Sequence, residues 1–173
     1  MIAKKFLKIY LPLSIFMFAN AYGEPSSLCS PEEKIFFSCP IGKKIVSYCE
    51  SKIEGPNKYM EYRFGKPNKI ELRYKAGGSD STGKFSKAEI TGASNVVTVI
   101  WFKNNELYYV LNDPVRGMPY LELYSNGSSK ARLPCSDLHG KTEGNTDDSS
   151  SNLNIKTQEE FFAEVRGEKI MEK

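Results

Sequence analysis

The sequence predicts an all-β domain, an antiparallel barrel or sandwich of about eight to nine strands, stapled by disulfides. Short runs of β-branched and aromatic residues alternate with turn signals from Lys34 to Cys135, and no helix-length periodic segment interrupts them. The chain also carries four cysteines, an even count of the kind that frames small exported domains.

The first predicted hairpin pairs Lys34 to Cys39 with Lys43 to Glu50 around Pro40, Ile41 and Gly42. A tight register sets Cys39 opposite Lys44, Phe37 opposite Val46 and Ile35 opposite Tyr48, giving one apolar face. Tyr59 to Phe64 and Lys69 to Lys75 then flank the turn Gly65, Lys66, Pro67, Asn68. In the second of these, Ile70, Leu72 and Tyr74 alternate with Lys69, Glu71, Arg73 and Lys75, so one side is buried. Further strands are predicted at Phe85 to Thr91, Val96 to Phe102, Leu107 to Leu111, Tyr120 to Tyr124 and Ser129 to Leu133. Asn104 and Asn105 supply one hairpin turn. Asn126 and Gly127 supply another, of the type that needs positive φ at both central positions. The nearly continuous apolar run Val96 to Phe102 marks a central strand buried on both faces.

The hairpin register also selects the disulfides. It puts Cys49 on the opposite face from Cys39 and roughly 17 Å along the strand, whereas a disulfide needs Cα atoms within about 7 Å. The expected pairs are therefore Cys29 with Cys49 and Cys39 with Cys135. The second closes a loop of about 95 residues, worth up to about 4 to 5 kcal/mol on the chain-entropy model.

The first 21 residues read as a signal peptide. Lys4, Lys5 and Lys8 precede an apolar stretch from Ile9 to Phe18, and Ala19 and Ala21 supply the small residues of a cleavage site. The apolar stretch is about ten residues, against roughly 20 for a membrane span. Removing it takes the basic count from 24 to 21, equal to the 21 acidic residues, so nothing suggests capture of nucleic acid. The predicted organisation is a signal peptide over 1–21, the β domain over 22–137, a flexible linker over 138–156 and a short helix or disordered tail over 157–173. The linker follows from the polar, Gly/Ser/Asp-rich run His139 to Asn154. Thr157 and Glu160 form a capping-box pattern ahead of Phe161, Phe162 and Val165, predicting a helix from about Gln158 to Ile170.

Motifs with chemical meaning are few. Gly78 to Lys84 matches G-x-x-x-x-G-K, but Phe85 stands where a Mg²⁺-binding hydroxyl belongs and a strand follows instead of a helix. Ser81 and Lys84 have S-x-x-K spacing without the helix that would bring them together. The only histidine, His139, sits in the polar tail and no C-x-x-C pair exists, so neither a metal nor a cofactor is expected. Glu61, Glu71, Glu89, Glu106, Asp113 and Glu122 form the pool for a two-carboxylate hydrolase, yet most occupy surface-facing strand positions. The expectation is a protein that is not an enzyme. Tyr108, Tyr109, Tyr120 and Tyr124, near the loop Asn112 to Pro119, suggest a recognition edge anchored by Arg116.

The segment Cys29 to Gly65, with FFSCPIGKK, VSYCES and YRFG, resembles a set of small exported bacterial proteins of unknown function. More distantly, a β domain that opens with a cysteine strand and a G-K-K turn and closes with a cysteine resembles the periplasmic inhibitors of C-type lysozyme. That resemblance implies a small β-barrel presenting a loop to an enzyme cleft. Its counterpart here is Thr91, Gly92, Ala93, Ser94, followed by the Trp101 strand and Lys103, with Thr91 where serine is expected. The functional expectation is a non-catalytic, periplasmic or secreted protein-binding domain, an inhibitor of or immunity protein against an envelope-directed hydrolase or toxin. Its contact residues are expected among Thr91, Gly92, Ser94, Lys103, Arg116 and Tyr120. The alternative is an envelope-associated structural or accessory module that uses its C-terminal tail.

Overall fold

A computed structural model describes residues 27–78, 83–136 and 152–169. The predicted signal peptide, His139, Ser81 and most of the predicted linker lie outside the described residues. The chain forms a nine-strand meander: β1 (Glu33–Ile41), β2 (Lys44–Ser51), β3 (Tyr59–Lys66), β4 (Lys69–Gly77), β5 (Phe85–Thr91), β6 (Val96–Asn104), β7 (Leu107–Pro114), β8 (Tyr120–Ser125) and β9 (Ser128–Pro134). A short strand β10 (Leu153–Ile155) and a helix α1 (Gln158–Arg166) complete it.

The strands divide into a four-stranded sheet, β1-β2-β3-β4, and a six-stranded sheet, β10-β5-β6-β7-β8-β9. The two stack as a sandwich. Val46, Tyr48, Met60 and Tyr62 from the first sheet pack with Phe85, Ile100, Phe102, Leu111 and Leu121 from the second in one core. This interior is mainly aromatic: Phe102 stacks on Tyr109 and on Tyr74, and Tyr48 meets Tyr62 edge to face at 5.2 Å. Burial pushes the Tyr48 and Tyr62 phenols well above their ordinary range.

Both predicted disulfides are present, Cys29–Cys49 and Cys39–Cys135. The second ties β1 to the end of β9. Beside it the Ser136 N–H donates to the Pro40 carbonyl at 2.7 Å, and Ser136 Oγ accepts from the Gly42 N–H at 2.6 Å. One long edge of the sandwich is thus pinned. At the other, β10 adds in parallel to β5, with Leu153 beside Phe85, and a bridge joins Ala76 to Gly83.

The first hairpin differs from the expected register by two residues. Cys39 lies opposite Val46 and Phe37 opposite Tyr48, because β1 runs on to Ile41 and turns through Gly42, whose φ is +59°. A bulge then moves Ile35 opposite Cys49 and leaves Phe36 in the core. An even offset keeps each side chain on its face, so Cys39 and Cys49 still point to opposite sides and pair with different partners. β7 extends to Pro114, which shortens the loop predicted over Asn112 to Pro119. Part of the predicted linker is also ordered: Leu153–Ile155 is β10, because Leu153 finds the core and the backbone finds the open edge of β5.

The helix starts at the expected capping box, with Thr157 Oγ1 accepting from the Glu160 N–H and Glu160 accepting from the Thr157 N–H. It ends at Gly167, not Ile170, because Gly167 takes a left-handed C-cap. Phe161 and Val165 are buried against Ala88, Val99, Trp101, Val110 and Tyr124 on the outer face of the six-stranded sheet. The central strand β6 is therefore covered on both sides, as its apolar run predicts.

Candidate functional site

At one end of the six-stranded sheet two loops are locked together by a single side chain. The Asn95 Nδ2 donates to the Arg116 carbonyl at 2.9 Å, and its Oδ1 accepts from the Arg116 N–H at 3.0 Å. Below this clamp the Val115 N–H donates to the Val96 carbonyl, and the Gly92 N–H donates to the Asn95 carbonyl, both at 2.9 Å. The turn after β5 and the loop after β7 thus form one fixed edge. It presents Val115, 77% exposed, beside the exposed Arg116. The start of α1 borders it, since Gln158 Oε1 accepts from the Thr91 N–H at 2.8 Å. Next to the loop after β7, the Arg132 guanidinium lies 3.6 Å from the centre of the Tyr120 ring.

The structure therefore brings Thr91, Gly92, Ser94, Arg116 and Tyr120 to one end of the sheet. Lys103 belongs to the other end, with its ammonium 5.2 Å from the centre of the Tyr108 ring. The expected tyrosine edge also breaks up. Tyr108 and Tyr124 pair at the far end of their strands, Tyr124 lies under α1, and Tyr109 stacks on Phe102 in the core. Strand direction decides this: β7 and β8 are antiparallel, so residues near the far hairpin cannot reach the loop that joins them.

A second organised cluster lies on the outer face of the four-stranded sheet, which single-residue reading does not reveal. Arg63 projects from β3 beneath the segment that precedes β1. It donates from Nη1 to Glu33 at 2.6 Å and to the Leu28 carbonyl at 2.8 Å, from Nη2 to Glu33 at 2.7 Å and to Glu61, and from Nε to Glu61 at 3.1 Å. All five of its N–H groups are engaged. Tyr59 also donates to Glu33, at 2.8 Å, and Arg73 to Glu61, at 3.1 Å. Burial raises the Glu33 carboxyl, but hydrogen bonds from Arg63, the Ser30 N–H and Tyr59 outweigh it and hold Glu33 below its ordinary value. Tyr59 is pushed up to about 12 by burial and by its bond to the Glu33 carboxylate. Both carboxylates of the cluster are thus paired with arginine, Glu33 with Arg63 and Glu61 with Arg63 and Arg73.

The remaining acidic pool is dispersed. Glu71 pairs with Lys44, and Glu122 accepts from Tyr124 and Ser129. Glu61 corrects the expectation of a solvated strand carboxylate, because it is buried against Arg63. Phe85, the residue that breaks the phosphate-loop pattern, is a fully buried core residue at the start of β5. Cys29, Glu33 and Cys49 are the one group close enough to hold a metal among the described residues, and both cysteines are committed to the disulfide. No described helix is long and apolar enough to cross a membrane. No family model, no curated protein and no solved structure matches the chain.

Proposed function

We propose that this is a non-catalytic protein-binding domain acting in the periplasm or outside the cell, as an inhibitor of, or immunity protein against, an envelope-directed hydrolase such as a lysozyme-like enzyme. The observation that carries the reading is the Asn95 clamp. Two neighbouring loops, joined at their base by the Val115–Val96 backbone bond, are held at their tip by a reciprocal pair of hydrogen bonds that presents Val115 and Arg116. Loops fixed before contact lose little conformational freedom on binding, so more of the interaction energy appears as affinity. Arg116 adds a donor suited to carboxylates, the groups that flank the scissile bond in most glycoside hydrolases. Two disulfides are compatible with an oxidising compartment.

The test separates the tip from its support. Arg116→Ala removes the anchor and leaves the backbone clamp in place, whereas Asn95→Ala frees the loops and leaves the anchor. Binding of a captured hydrolase should weaken about tenfold or more in Arg116→Ala. In Asn95→Ala the loss should come with a more unfavourable binding entropy by calorimetry. If both variants bind and inhibit like the unsubstituted protein, this edge is not the site.

A further inference from the structure

We propose that Cys29–Cys49 is a site of reversible exchange with low-molecular-weight thiols, in which Cys29 takes up the incoming thiol and Cys49 leaves as a thiolate beside Arg63. The two disulfides occupy different surroundings. Cys39 and Cys135 are both buried in the core at 0% and 1% exposure, whereas Cys49 is at 0% and its partner Cys29 is half-buried. Cys29 belongs to the segment lying over the four-stranded sheet, and Cys49 lies beneath it on β2. An attacking thiolate must approach in line with the bond it breaks. Cys29 is the less buried of the pair and lies in the covering segment, so its sulfur is the one open to attack.

Arg63 gives this polarity a second basis. Its Nη1 lies 3.7 Å from Cys49 Sγ while donating to the carbonyl of Leu28, the residue next to Cys29. When Cys29 is carried off with its new partner, Leu28 moves with it and the guanidinium loses that acceptor. The freed N–H then strengthens its existing contact with Cys49 Sγ into a charge-assisted bond as the thiolate develops. Glu33 opposes this, with a carboxylate oxygen within 4.8 Å of both sulfurs, but it is already neutralised by two bonds from Arg63 and one from Tyr59. Glu61 faces the same guanidinium and is shared with Arg73. The step balances: the thiol loses its proton to solvent, its sulfur bonds to Cys29 Sγ, and the electron pair of the broken S–S bond passes to Cys49.

The full-length protein is treated with 2-mercaptoethanol under native conditions, quenched with iodoacetamide and mapped by mass spectrometry. The expected product carries mercaptoethanol on Cys29 and the alkyl label on Cys49, with Cys39–Cys135 intact and opening at least about tenfold more slowly. In guanidinium chloride both the order and the site preference should vanish. The adduct on Cys49, equal opening of the two disulfides in the native protein, or the same preference in denaturant would each overturn the proposal. Arg63→Lys keeps the charge but loses the fork, and should slow the native opening of Cys29–Cys49 about tenfold without altering Cys39–Cys135. An unchanged or faster rate overturns the role given to Arg63. If that variant misfolds, the native and denatured maps of the unsubstituted protein still decide the site.

Discussion

Replacing Phe161 by alanine should detach the C-terminal strap without unfolding the sandwich. In a closed core such a truncation costs about 3 to 5 kcal/mol, because a cavity remains. Here the side chain belongs to a helix held by few anchors. Phe161 and Val165 are its buried residues, β10 contributes three register pairs, and hydrogen bonds from Lys156 to Lys87 and from Thr91 to Gln158 fix its approach. Undocking therefore competes with leaving a void, and the loss is limited to the contribution of one buried phenylalanine, about 1.5 to 3 kcal/mol. That moves the docking equilibrium by roughly 10 to 150-fold. Trp101 reports on it directly, being the only tryptophan and lying edge to face against Phe161 at 5.0 Å. In a urea titration of Phe161→Ala, tryptophan emission should shift to the red at denaturant concentrations where far-ultraviolet circular dichroism is still native. If the two signals instead move together in one transition, with native emission in buffer and a loss of 3 kcal/mol or more, the strap is an inseparable part of the core and the reasoning fails.

Replacing both Cys39 and Cys135 by serine should cost about 4 to 5 kcal/mol of stability by equilibrium denaturation, because the cross-link spans a separation of 96 residues. Gly127→Ala should lower the melting temperature and loosen the strap, since φ is +73° and an added Cβ would meet the Arg166 carbonyl oxygen at 2.5 Å; a cost above about 1 kcal/mol is expected. The pH dependence follows from Glu33. Its carboxyl is held below the ordinary 4.5, so its stabilisation is present above that value and is lost as pH falls through the folded value. Glu33→Gln should accordingly flatten the acid limb of a stability profile measured below about pH 4.5. At the alkaline end the raised Tyr59 acts in the opposite sense, and stability should fall as pH rises from 10 toward about 12, less so in Tyr59→Phe.

The strands were legible because each carries its own period and its own turn: Ile70, Leu72 and Tyr74 alternate on β4, and Asn126-Gly127 closes β8 on β9 with φ of +50° and +73°. The helix start was legible for the same local reason, in Thr157 and Glu160. What escaped depends on distant partners. β10 is only Leu-Asn-Ile in a polar run, and its strand character comes from the open edge of β5. The offset in the first hairpin arose because Gly42 allows a tighter turn than Pro40 suggests. At the candidate edge, Thr91, Gly92 and Ser94 were marked by the resemblance to the lysozyme inhibitors, and Arg116 and Tyr120 by their place in and beside a loop near several tyrosines. Asn95, which joins the two loops, looked like any turn residue until the loops were placed side by side. The Arg63 cluster was hidden by alternation, since an outward-facing Arg and Glu read as solvated when the covering segment is not known.

Hydrolase binding at the Arg116 edge is tested most directly by affinity capture with the chain from Tyr22 onward, disulfides intact, compared with its Arg116→Ala form on the same periplasmic and secreted fractions. One stoichiometric hydrolase is expected, inhibited on binding and lost from the Arg116→Ala sample while the circular dichroism of the two proteins remains the same. Equal recovery of that enzyme by both forms, or no enzyme inhibited by either, would contradict it.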